Sequence, residues 1–381
     1  MSPGRISAIA VSLLLYCTLP FSVSGQVVKN YLAIQNPDDL EVDNKGNLWV
    51  NYKDTVRNLH CLAMIDGKGK LKNIIEQNNE LGQFGITDTH IWASSWSASR
   101  AWKFDRGGKV LDSVSIAAPT EIIAEPEGNW YVYSSARQGM VTKFKPDNSS
   151  ATIASGSGLG FGAGMARDAY GNFYTTGLFN GQLFKITADG KVRTIAHLPF
   201  TGGYSLGFCN YKDGYIYIPS IYEQCIYKID TGGRSVELVA GKPGQRGSTN
   251  GNVSEALMDS PLSAEPSFTG DTLFFTQSGN LIRMVTGLKK APVSTDSRNY
   301  FLKLTPDGGK LLIDINLTGR QAIQQVLVMD AANKPVGQVA GYDPQKPVQQ
   351  LQYDMQALAA GNYNLLLAGP NGFHVLAAFT K

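Results

Sequence analysis

Four side chains of this 381-residue chain have types and positions that could do chemistry together: Asp39, Gln83, Glu121 and Glu265. Each falls at the start of a strand in a recurring unit, so strands set around an axis would bring the four to one end of a central channel. Carboxylates gathered in one cavity raise one another's pKa unless a cation is present, and a hard cation such as Ca²⁺ takes six to eight oxygen ligands. The set reads as a candidate site for Ca²⁺ or another divalent cation, with Gly164 and Gly207 leaving space on the opposite side. The competing reading is that each side chain caps a neighbouring loop or faces water by itself.

The loops around the same mouth carry Tyr52, Trp96, Arg137 and Tyr222. Aromatic and guanidinium groups on exposed loops offer large, rigid contact area, which suits a glycan, peptide or protein ligand. No catalytic residue is assigned. Gly203, Ser205 and Gly207 have the spacing of a hydrolase nucleophile elbow, but a strand follows where that motif needs a helix, and the only later histidine is His374. His60, His90 and His197 likewise stand apart, without the close pairing of a zinc site. The glycine series from Gly156 to Gly164 lacks phosphate-loop spacing.

What must position these residues is a repeat. Trp49, Trp92, Tyr131, Tyr174, Tyr217 and Phe274 mark six units, the first five 43, 39, 43 and 43 residues apart and the sixth 57 further on, after an inserted loop. A period near forty means one supersecondary unit per repeat, each needing its neighbours to bury its apolar face. Asp43, Gly46, Asn47 and Trp49 recur as Glu125, Gly128, Asn129 and Tyr131, and as Asp168, Gly171, Asn172 and Tyr174. Each set reads strand, turn, strand, and a third strand follows each hairpin, as in a β-propeller blade. Val27–Ala33, which precedes the first unit, is expected to close the ring as the outer strand of the sixth.

This pattern resembles the NHL-repeat family of six-bladed propellers over residues 26–290, most specifically in Gly241, Pro243, Gly244 and Gly247 of the long segment and in Asn280 and Arg283 of the third strand that follows it. Gluconolactonase-type six-bladed propellers, which this arrangement also resembles, hold a divalent ion near the channel mouth with acidic and amide residues. That likeness implies an alternative function, a metal-dependent lactonase or related hydrolase.

Residues 1–25 read as a signal peptide, with Arg5, an apolar run and small residues before Gln26. No later apolar run approaches the ~20 residues a spanning helix needs, so no transmembrane segment is expected in the mature chain. An exported product is expected, extracellular or on the cell surface and periplasmic in transit. Cys61, Cys209 and Cys225 are odd in number without metal spacing and are read as buried thiols. Net charge is +3 with lysine and arginine scattered, which argues against a nucleic-acid partner.

After a charged, proline-containing linker the pattern changes. About seven short alternating strands from residue 294 to Lys381 predict a small Ig-like β-sandwich with its own core. Leu358, Gly361, Tyr363 and Leu365, with the ending Ala378 to Lys381, resemble the C-terminal sorting domain of the bacterial type IX secretion route. That resemblance implies secretion machinery as a partner. The whole is expected to be all-β: a six-bladed propeller used as a binding module, then a sandwich that directs sorting or attachment.

Overall fold

The computed structural model describes residues 25–136, 139–156, 159–199, 205–288, 300–316, 323–331, 334–346, 348–368 and 374–381. All but the last residue of the expected leader, Arg137 and the linker after Leu288 lie outside the described residues. The described chain is all-β, and none of it forms a helix long and apolar enough to cross a membrane.

The repeat's turn is held by its own acid. In the first unit Asp43 Oδ1 accepts the N–H groups of Lys45 (3.0 Å) and Asn47 (2.9 Å), while Gly46 takes φ +80°. Trp49 Nε1 then donates to Asp43 Oδ2 at 3.0 Å. Tyr174 OH does the same to Asp168 Oδ2 (2.9 Å), and Tyr131 OH to Glu125 Oε2 (3.1 Å). A guanidinium from the next sheet completes two of these clusters: Arg106 binds Asp43 at 3.1 Å and lies 4.4 Å over the Trp49 ring, and Arg167 pairs with Glu125 and lies 4.8 Å over Tyr131. The acid thus fixes both the local turn and the seam between neighbouring sheets.

Among the described residues six antiparallel sheets result. Their first strands are Pro37–Val42, Phe84–Ile86, Pro119–Ala124, Gly162–Arg167, Asn210–Lys212 and Pro261–Pro266, and these touch one another in cyclic order, the last against the first. Sheets one to three have four strands each. The sixth is completed by the N-terminal strand: Val27–Ala33 pairs antiparallel with Leu281–Thr286, from Val27 opposite Thr286 to Ala33 opposite Leu281. The ring is therefore closed by strand exchange, as the sequence order implied. Cys61, Cys209 and Cys225 are all buried thiols.

The inserted loop ahead of sheet six is moored by a buried arginine. Arg283 is fully buried and donates to Leu257 O (2.7 Å), Gln277 Oε1 (3.1 Å), Thr249 O (2.8 Å) and Asn250 Oδ1 (2.9 Å), none of them a carboxylate. Burial pushes its pKa down to about 10. Arg283→Met would keep the stem's packing and abandon those acceptors, costing on the order of 3 kcal/mol. The expected outcome is a lower urea midpoint with proteolytic cleavage appearing between Gly241 and Ser260; a variant as protease-resistant as the wild type would show that the loop holds itself.

The seven strands expected after the linker are all present, but their core is not independent. Tyr300–Asp307 pairs with the outer strand of sheet five, Ser235–Gly241, and carries Lys310–Asn316 and Val348–Asp354 beyond it. His374–Thr380 pairs with the outer strand of sheet four, Val192–His197, and leads to Asn362–Ala368, Gln325–Asp330 and Pro335–Gln338. One apolar cluster runs through both extensions and the two sheets, joining Tyr227, Ile229 and Val236 to Leu302, Ile313, Val328 and Phe379. The expectation of two separate cores is overturned, because an open sheet edge with unpaired N–H and C=O groups is completed most directly by another strand.

Candidate functional site

The first strands of sheets one, three, four and six share a β-bulge near the mouth, where one extra residue turns the side chains that follow. Within the bulge of sheet one, Asp39 is 3% exposed; its N–H meets Asn51 Oδ1 at 2.6 Å and its Oδ1 accepts from Ser263 Oγ at 2.8 Å. Glu121 is also buried and accepts the Ile122 N–H (3.0 Å). Glu265 Oε1 accepts the Val42 N–H across the seam between sheets six and one (3.1 Å).

Asp39, Glu121 and Glu265 do share one electrostatic neighbourhood, and Glu41 joins it. Burial first, and then Asp38, pushes Asp39 up to about 7; burial and Asp39 push Glu41 up to about 8. Glu121 is raised well above the ordinary carboxylate range by burial, Asp39 and Glu41, and Glu265 by burial, Glu41 and Asp39. At neutral pH the group therefore holds protons that isolated carboxylates would have released.

The four residues do not form the single ring that the sequence suggested. Glu41 lies opposite Trp49 and Glu265 opposite Phe274, so Glu265 is equivalent to Glu41, and Ser263 to Asp39. The first turn of sheet six is one residue longer than that of sheet one, which displaces any count made back from the aromatic. Asp39 and Glu121 thus sit nearer the mouth, with Glu41 and Glu265 a two-residue stride deeper. Gln83, two residues before the Gly85 that lies opposite Trp92, keeps the level of Asp39, and its amide donates to Asp38 Oδ2 at 3.3 Å. Among the described residues, no group of three or more His, Cys, Asp or Glu side chains is placed to hold a metal ion. Gly164 and Gly207 leave no space either: a Cβ on Gly164 would stand 2.6 Å from the Cys209 nitrogen, and one on Gly207 2.0 Å from Leu262 O. They let first strands approach each other closely, as the direct Phe208–Ser263 bridge shows.

Above the carboxylates a cavity of about 500 Å³ opens between sheets one and six, lined by Asp38, Asn51, Tyr52, His60, Glu80 and Asn280 among others. Asn51 braces it, donating to Leu81 O and Gly82 O (both 2.9 Å) and to Asp38 Oδ2 (3.3 Å). Burial, opposed by the Asn51 hydrogen bond and helped by Glu80, pushes Asp38 up to about 6, whereas burial and then Lys53 push His60 down. Tyr52 is largely buried, its hydroxyl donating to Asn73 (3.0 Å), so it forms wall rather than rim. Trp96 and Tyr222 are 56% and 38% exposed on the surrounding loops. The Trp96 loop is tied to the cavity wall through Ser97 N–H and Glu80 Oε2 (2.7 Å). Val56, Phe161 and Phe179, the last two in edge-to-face contact at 5.7 Å, add exposed apolar surface on loops of this same face. Sequence reasoning missed Asp38, Glu41 and this wider rim. Glu41 was legible from the period of two that places it on the same side of the strand as Asp39.

Radial sheets around an axis, closed by strand exchange, define a β-propeller. Solved structures of similar fold include an auxiliary nutrient-binding protein from Bacteroides thetaiotaomicron VPI-5482, with 13% identity, TM-score 0.58, and 69% of this chain and 77% of that one covered. A structural-genomics protein of unknown function from the same organism gives 14% and 0.54 over 68% and 76%, and one described as a putative phosphatase gives 12% and 0.52 over 68% and 78%. At such identity the likeness establishes the propeller fold alone. No protein-family model matches the sequence, and no curated protein is significantly similar to it.

Proposed function

We propose that this chain is an exported six-bladed propeller of NHL-like type that captures a carbohydrate, peptide or protein ligand at the channel mouth. The cavity beside the first strands carries the reading: polar, partly desolvated groups line it, and exposed aromatic side chains surround it. The two sheet extensions at the C-terminus are read as an Ig-like β-sandwich that serves sorting or surface attachment. The nutrient-binding description of one structural neighbour makes glycans and peptides from nutrient breakdown the first ligands to test.

The test is an array of soluble glycans and peptides probed with the labelled mature chain, followed by calorimetry on the hits. Trp96→Ala and Asp38→Asn should each weaken a true mouth ligand about tenfold or more. Hits that bind both variants as tightly as the wild type would place recognition elsewhere, and a chain that binds nothing on either array would remove the capture role for these ligand classes. The metal-dependent hydrolase reading stands second, because its oxygen ligands would have to gather from two levels of the channel.

A further inference from the structure

We propose that the cleft between sheets three and four and the C-terminal extension is a second binding site, for an anionic saccharide. It arises where two paired strands part. Val192–His197 meets His374–Thr380 only at Ala196 opposite Ala377 and His197 opposite Leu376. Beyond that point the C-terminal strand turns towards sheet five, Ala378 N–H donating to Gly233 O at 3.2 Å. The wedge left open has a volume of about 850 Å³, within the ~300–1,000 Å³ usual for small-molecule sites, which favour such junctions.

Its lining is rich in donors and, among the described residues, contains no carboxylate. Lys185, Lys191 and Arg193 stand on one wall, Asn362 and Tyr363 on the other. Arg193 Nη1 crosses the wedge to Asn362 Oδ1 at 3.3 Å, an amide oxygen that Thr380 Oγ1 also uses at 3.0 Å. A guanidinium half withdrawn from water with a neutral partner is under-compensated, and burial pushes Arg193 down accordingly. Lys185 lies 5.3 Å over Tyr174 and donates to Thr231 O (3.2 Å), and its pKa too is lowered, mainly by burial. The acids nearest Lys185 are already engaged, Asp168 by its turn and Tyr174, Asp230 by Arg234 and Ser235. Lys191 pairs with Asp189 at the exposed rim (2.9 Å).

An acidic group entering the wedge would supply the missing charge to Arg193 in a bidentate geometry, with Lys191 swinging in from its exposed pair with Asp189. A sugar ring suits the rest: threonine hydroxyls and amides for its hydroxyl groups, and Tyr363, backed by Phe379 at 5.7 Å between ring centres, as a braced aromatic platform. The acid is either a uronate carboxylate or a sulfate ester.

Calorimetry of the full mature chain with trigalacturonate, a sulfated chondroitin disaccharide and neutral maltotriose separates these. At least one charged probe is expected to bind, weakening with added salt, and Arg193→Gln to lose about tenfold or more in affinity. Lys191→Gln, at an exposed site that cannot compromise folding, should lose a smaller part. Failure of both charged probes at millimolar concentration, equal binding of maltotriose, or affinity unchanged in both variants would overturn the assignment.

Discussion

Removing residues 294–381 is expected to yield an insoluble or unfolded propeller rather than a free-standing one. The truncation would bare the outer edges of sheets four and five along Val192–His197 and Ser235–Gly241. It would also strip Leu302, Leu304, Leu311, Ile313, Ile315 and Phe379 from the cluster they share with Tyr227, Ile229 and Val236. Truncating one buried leucine or isoleucine costs about 2–5 kcal/mol, and whole domains are stable by only about 5–15 kcal/mol. The loss of one entire side of that cluster therefore exceeds any ordinary margin, and the bared edges invite aggregation. Expression, size-exclusion chromatography and circular dichroism melts of the truncated chain check this. Leu302→Ala in the full chain supplies a graded version, destabilised by about 2–5 kcal/mol. A monomeric truncated propeller melting with the full-length protein would sink the argument and restore two separable domains. Sorting by the type IX route, if this region serves it, has to be tested with exposed substitutions in Pro335–Gln338, since truncation would confound delivery with folding.

How much of this was legible in the sequence depended on the distance over which each feature is written. The Asp43–Trp49 and Asp168–Tyr174 ties close within six residues, so the turn motif carried its own explanation. The closing strand was readable because the sixth unit lacked a fourth strand and Val27–Ala33 had no other place. The candidate site was half legible. Asp39 and Glu121 were found in equivalent positions, but Glu265 stands one residue nearer its aromatic than they do and the turn of sheet six is one residue longer, and these two offsets together bring Glu265 to the level of Glu41. Gly164 and Gly207 read as open space because absence of a side chain looks the same whether it leaves a void or admits a neighbouring backbone. The joining of the C-terminal strands to sheets four and five was hidden for a related reason: Leu302 opposite Val236 and Ala377 opposite Ala196 are pairings with no local signature.

Stability should fall as pH rises from about 5 to about 8, and the axial carboxylates set that direction. Asp38, Asp39 and Glu41 have folded pKa values of about 6, 7 and 8, and Glu121 and Glu265 are raised well above theirs, burial being the largest cause in each. Unfolded, all five would titrate near ~4. Across the window from there to about 8 the folded chain binds more protons than the unfolded one, so the slope of stability against pH is negative, and the contribution present below the window is gone above it. His60 and His90, both pushed down mainly by burial, give the opposite slope below about 6.5, but they are two against five and more exposed. Carboxylates held low by hydrogen bonds, such as Asp66 and Asp147, act only at more acid pH and close the optimum from that side. One pKa unit is ~1.4 kcal/mol and ~1 kcal/mol moves the melting temperature by ~2–4 °C in chains of ~150–250 residues, less in one this long; with Asp38, Asp39 and Glu41 raised to about 6, 7 and 8, several units are lost across the window, so the melting temperature should be at least ~5 °C higher at pH 5 than at pH 8. Glu121→Gln and Glu265→Gln, which keep an acceptor and remove the charge, should raise the melting temperature at pH 8 and flatten the profile. Added Ca²⁺ at pH 8 discriminates further: stabilisation that Glu121→Gln weakens would revive the cation reading, whereas no shift leaves protons as the only neutralising agent. A wild-type profile that climbs between pH 5 and 8, or variants that keep its slope, would mean that these carboxylates are better solvated than their placement around the axis implies.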